Sequence, residues 1–173
     1  VKINTVLQAG VNEDELDDIA RLAWEMPIAV RFIEYMPVGR SKPYEKSRFL
    51  SSAQALERLH ALGGLEPLPA LESDGPAQRF KPKGAPGELG VISSLSSHFC
   101  ADCNRLRVSA HGHAVPCLFS DLSVDLRPAL RGPTPEKSLK EALLQAAAIK
   151  PQRHGQRAEE AHSAGCQMSR LGG

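Results

Sequence analysis

VKINTVLQAGVNEDELDDIARLAWEMPIAVRFIEYM, residues 1–36, changes its apolar period twice, and that change decides the fold. In VKINTVL, Val1, Ile3, Thr5 and Leu7 fall on one side and Lys2, Asn4 and Val6 on the other, the period of a strand. Gly10 and Asn12 mark a turn. Asn12 has Glu15 three residues on, the spacing of a capping box, and so predicts a helix start. Leu16, Ile19, Ala20 and Ala23 recur at helical spacing, with Glu13, Asp14, Asp17 and Asp18 at the end where the helix dipole favours acids. Pro27 stops the helix near Met26. IAVRFIEYM, branched and aromatic, predicts a second strand. Strand, helix and strand in this length form a βαβ unit with parallel strands. The expected fold class is α/β.

Beyond Pro37 the chain turns polar. Residues 51–62 predict a short helix with Leu56, Leu59 and Leu62 on its apolar face. Residues 63–90, rich in Pro and Gly, leave room for short strands at most. LGVISSL (89–95) predicts a strand. RLRVSA (105–110) and HAVPC (113–117) predict a hairpin turning at His111-Gly112, which would set Cys117 opposite Leu106. Thr134-Pro135 opens a last helix with Leu139, Leu143, Ala146 and Ala147 on one face, ended by Pro151. The remainder is polar and aperiodic, a mobile tail over 151–173. The chain opens directly on a strand, with no methionine, like a piece that begins inside a fold.

The 173 residues suffice for one ordinary domain or a small domain plus part of another. Apolar residues make up 42%, enough for a core. The net charge of +1 argues against a general electrostatic grip on nucleic acid or membrane, so any anion site is local. No stretch is long and apolar enough to cross a bilayer, and no signal-peptide pattern opens the sequence. The expected location is cytoplasmic, where thiols bind metal or stay free.

Three of the four cysteines gather in HFCADCNRLRVSAHGHAVPC, residues 98–117. Cys100 and Cys103 form a CxxC, whose tight turn lets two sulfurs converge, and the hairpin would return Cys117 toward them. Cys166 stands apart, with no evident role. Zinc would need a fourth ligand from His98, His111 or His113. A 4Fe–4S cluster on three cysteines would leave one iron open to an outside ligand. Coincidence is the third reading. Arg105 and Arg107 share a face if the segment is extended, and two guanidinium forks side by side suit a phosphate or carboxylate. Such a pair usually only solvates a strand, but here it begins two residues after a candidate ligand. A positive clamp beside an open metal position makes sense as a substrate pocket.

FCADCNRLRVSAHGHAVPCLFS, together with VKINTVLQAGVNEDEL, VRFIEYMPVG and the terminal Gly-Gly, resembles the C-terminal half of the GTP 3′,8-cyclases. These are radical S-adenosylmethionine (SAM) lyases of molybdenum cofactor biosynthesis. The likeness spans nearly the whole chain and is weakest over 40–85 and 132–166. It implies an incomplete, TIM-like radical SAM barrel whose last βαβ unit is residues 1–38. An α+β iron–sulfur and GTP-binding domain would follow over 39–150, then the tail. It implies an auxiliary 4Fe–4S cluster on Cys100, Cys103 and Cys117, with Arg105, Leu106 and Arg107 lining the GTP site. Lys2 would meet the GTP phosphates, and Met36 would touch SAM. Arg31, Gly172 and Gly173 would reach the active site. In that family a second 4Fe–4S cluster, on an N-terminal CxxxCxxC, cleaves SAM to a radical that takes the ribose C3′ hydrogen of GTP. The product is 3′,8-cyclo-7,8-dihydro-GTP, which a cyclic pyranopterin monophosphate synthase consumes. The present chain has no CxxxCxxC, so it is expected to be inactive alone and to need a missing N-terminal half, with a homodimer partner also implied. Two other functions compete. One is a zinc-stabilised module gripping nucleic acid through the arginines, which the near-neutral charge and 5% aromatic content weaken. The other is a related radical SAM protein with another substrate.

Overall fold

The fold is given by a computed structural model that describes residues 1–38, 43–70 and 75–155. It is mixed α/β and divides into two compact units. The first takes in Val1–Met36 and Glu45–Phe99, and the second includes 100–155.

In the first unit, β1 (Lys2–Leu7), α1 (Leu16–Glu25) and β2 (Ala29–Glu34) form the expected parallel βαβ unit, with Lys2 opposite Ala29 and Leu7 opposite Glu34. Asn12 does not cap α1. Its side chain accepts from Gln8 N at 2.8 Å and donates to Val6 O at 3.0 Å, which closes the turn after β1 instead. The helix starts at Leu16 with no side-chain cap. The chain then passes a 3-10 turn at Lys46–Arg48 and enters α2 (Ser52–Leu62). Here a capping box does form: Ser51 and Gln54 each satisfy the other's backbone N–H. Short strands β3 (Leu65–Pro67) and β4 (Gln78–Pro82) lead to β5 (Glu88–Ile92).

The sheet order is β1-β2-β5-β4-β3, with β5 parallel to β2 and antiparallel to β4. From the sequence, 39–99 are grouped with the cysteine block. In the structure 45–99 pack with the opening segment, because β5 is the next parallel strand of that sheet. One face of the sheet carries Leu7, Val30, Phe32, Leu89 and Val91, buried under Leu16, Ala20 and Ala23 of α1 and Ala55 and Leu59 of α2. Each such Leu, Val or Phe removed from water contributes about 1.5–3 kcal/mol. Gly87 brings β5 in under the end of α1. Its N–H donates to Ala23 O at 2.8 Å, and a Cβ there would lie 2.5 Å from Ile28 O.

Glu34 ends β2 on this buried face and is 2% exposed. Its carboxylate accepts from Ser52 N at 2.8 Å, Leu95 N at 2.7 Å, Ser96 N at 3.0 Å and the Ser96 hydroxyl. A charge at that depth is tolerable because every lone pair that matters meets a donor. The result ties the C-terminal end of β2 to the start of α2 and to the chain running on toward Cys100.

The second unit is smaller. It holds an antiparallel sheet of β6 (Arg107–Val108), β7 (His113–Val115) and β8 (Val124–Asp125), followed by α3 (Arg127–Arg131) and α4 (Pro135–Ala148). Its core is Ala114, Leu126 and Ala146, with Val124, Leu139, Ala142 and Leu143 packed around. Ala147, expected on the apolar face of α4, is exposed, and Ala142 takes that place.

Candidate metal centre

The hairpin forms one residue out of the expected register. Ser109 N donates to His113 O at 2.9 Å, and Gly112 N donates to Ser109 O at 2.9 Å. The loop is therefore Ala110-His111-Gly112, three residues, with Gly112 at φ +74°. A left-handed residue in that place favours glycine and sets the shift. Arg107 stands opposite Val115, so Cys117 does not face Leu106.

Cys100 and Cys103 are joined by a tight turn in which Cys103 N donates to Cys100 O at 3.3 Å. Cys117 follows β7 and Pro116, and its carbonyl accepts from Ser120 N at 3.3 Å. All three thiols are free and half-buried. From Cys103 onward the chain alternates: Cys103, Arg105 and Arg107 are half-buried, while Asn104, Leu106 and Val108 are exposed. This is extended chain, although β6 itself covers only its last two residues. The structure thus puts Arg105 and Arg107 on the side of Cys103 and leaves Leu106, 39% exposed, on the other.

The electrostatics of these groups are interlocked. Burial pushes the Cys103 thiol up, but the Arg105 backbone N–H, the Arg105 guanidinium and the Lys150 ammonium outweigh it and hold the thiol below its ordinary value. Burial pushes the Cys117 thiol up, and the charges of Cys100 and Cys103 add to that, against the Phe119 N–H and Lys150. Burial and the neighbouring Arg105 pull Arg107 down from its usual value, and the Cys103 and Cys117 sulfurs push back. Three thiols and three cations thus share one neighbourhood within the second unit. Among the described residues, no group of three His, Cys, Asp or Glu converges tightly enough to hold a single metal ion. By chemistry alone, the donor set is of the kind an iron–sulfur cluster takes: soft, half-buried thiols, Cys103 held below its ordinary value, with cations nearby to offset their charge.

Lys150 is the residue that sequence reasoning missed. A lysine just past a helix end usually serves only the helix dipole, and nothing local marked it otherwise. His111 lies in the hairpin loop, and His113 Nε2 stands 3.5 Å from Arg127 Nη2. Lys2 and Arg31 lie on the other face of the first unit's sheet, away from its core. Arg31 runs over Gly90, where a Cβ would touch it at 3.4 Å. Met36, half-buried, follows β2. Cys166, Gly172 and Gly173 lie outside the described residues. No helix among the described residues is long and apolar enough to cross a membrane.

A protein-family model described as Molybdenum Cofactor Synthesis C matches residues 28–156. Curated relatives carry the name GTP 3′,8-cyclase. That of Geobacter sulfurreducens is 44% identical over 172 residues, covering 99% of this chain and 52% of the relative. That of Moorella thermoacetica is 40% identical, covering 89% and 47%. That of Alkaliphilus oremlandii is 38% identical, covering 100% and 52%. The chain spans about half the length of the curated relatives it matches.

Proposed function

The chain belongs to the Molybdenum Cofactor Synthesis C family, and from that premise we propose that it supplies the auxiliary-cluster and GTP-holding part of a GTP 3′,8-cyclase. Cys100, Cys103 and Cys117 hold a 4Fe–4S cluster, and the observation that carries this is their gathering with Arg105, Arg107 and Lys150 in one unit. When bound, the cluster offers one iron without a protein thiolate, where a guanine base can ligate. The remaining work falls to side chains. Arg107 has its guanidinium on the cluster side and pairs with a nucleotide phosphate or base oxygen. Arg105 divides its donors between Cys103 and the nucleotide. Leu106, on the exposed side, contributes packing at most.

In the same proposal β1, β2 and β5 are strands of a radical SAM barrel. Lys2 and Arg31 then line its inner face toward the GTP phosphates and reacting ribose, Met36 meets SAM, and Gly172-Gly173 reach the active site. The sequence holds no CxxxCxxC, so cleavage of SAM needs a second cluster from outside these 173 residues, and the chain alone turns nothing over. The cyclised product passes to a cyclic pyranopterin monophosphate synthase.

The test is nucleotide binding to anaerobically reconstituted protein. GTP is expected to perturb the cluster's paramagnetic signal. Arg107→Ala is expected to weaken GTP by about 10- to 150-fold, the loss of one charged hydrogen bond worth roughly 1.5–3 kcal/mol, with iron content unchanged. A signal indifferent to GTP, or an Arg107→Ala protein of unchanged affinity, would remove GTP from the proposal.

A further inference from the structure

The segment that leaves α4 turns back onto the cysteine loops at two points. Lys150 is half-buried, and its ammonium meets three acceptors, all on the CxxC loop. It donates to Cys103 O, to Cys103 Sγ at 3.4 Å and to Arg105 O at 3.0 Å. An ammonium has three N–H donors, so this loop takes its full capacity. Four residues on, the His154 ring stacks on Phe119 with centroids 4.3 Å apart and planes 33° apart. Phe119 is the residue whose N–H donates to the Cys117 sulfur. The two contacts are independent, one polar and one aromatic. Together they touch both thiol-bearing loops from a segment far away in sequence. A lysine serving only the helix dipole would be solvated at the helix end and would not reach across 45 to 47 residues to two carbonyls and a sulfur.

We propose that residues 150–154 are a strap that holds the two cysteine loops in place, and that Lys150 is a positioning residue whose donation to the Cys103 sulfur sets the reduction potential of the bound cluster. The second half of this rests on the cluster assignment above; the first half does not. A donor on a ligating sulfur stabilises the added electron of the reduced cluster, so removing it moves the potential to more negative values.

The test compares Lys150→Met and Lys150→Arg with the native chain. In protein without iron, amide hydrogen exchange over 100–107 is expected to run about tenfold or more faster in Lys150→Met, with β1 and β2 unchanged. After anaerobic reconstitution, Lys150→Met is expected to carry the native content of iron and sulfide but to show a more negative potential in a titration followed by electron paramagnetic resonance. Lys150→Arg keeps the charge but its planar fork cannot place donors on the same three acceptors, so it is expected to fall between the two. If Lys150→Met does not fold, the Lys150→Arg comparison decides, and native exchange with a native potential in that variant overturns the proposal. Native exchange rates over 100–107 in Lys150→Met would overturn the strap. An unchanged potential at full iron content would overturn the tuning role. If even the native chain takes up no iron, the cluster assignment and the tuning role fall together, while the exchange comparison still decides the strap.

Discussion

Glu34 shows how one residue can set a route through the fold. Its carboxylate collects donors from the start of α2 and from the chain approaching the CxxC, at a depth where an unpaired charge would not be tolerated. Glu34→Gln keeps the shape but turns an amide N–H₂ toward N–H donors. It is expected to lower stability by about 2 kcal/mol, read from the denaturant midpoint. An unchanged midpoint would mean that these bonds contribute nothing net. None of this was legible beforehand, because Glu34 sat in a strand pattern as one more polar residue and its partners lie up to 62 residues away. Lys150 was hidden for the same reason. Cys100, Cys103, Cys117, Arg105 and Arg107 stand out in the sequence as candidates because their pattern is local: thiols in a short span, and arginines two residues apart. Asn12 shows the reverse error, a good local cap signal claimed by a nearer turn.

At the scale of elements, β1, α1, β2 and α4 followed from their periodicity, which is long enough to override noise. β8 and α3 escaped notice because two- and five-residue elements carry no period. The hairpin was legible as a hairpin, but its register turned on a single backbone angle at Gly112. Gly112→Ala is expected to cost about 1–2 kcal/mol, since an L-residue resists φ near +74° and its Cβ would press on Arg127 Cγ at 2.9 Å. Amide exchange in β6 and β7 reads the effect. Equal protection in the variant would show that the loop tolerates another conformation.

At the scale of the molecule, the two units have unequal means of support. Among the described residues, the first unit's core cluster holds eleven buried residues, from Leu7 to Val91, and the second unit's holds three, Ala114, Leu126 and Ala146. A core that small needs a staple, and a bound cluster would provide one. Protein without iron is therefore expected to exchange amides faster in β6–β8 and α4 than in β1, β2 and β5, and reconstitution is expected to slow the former alone. Uniform protection in the absence of iron would show that the second unit stands by itself. The grouping of 45–99 with the first unit was not legible because it depends on which strand β5 joins, and short Pro- and Gly-rich strands leave that choice to tertiary packing.

Metal and sulfide analysis of the anaerobically reconstituted chain tests the central claim most directly. About four irons and four acid-labile sulfides per chain are expected, lost together when Cys100, Cys103 and Cys117 are replaced by serine. Stoichiometric zinc with no sulfide, or iron retained after those replacements, would contradict it.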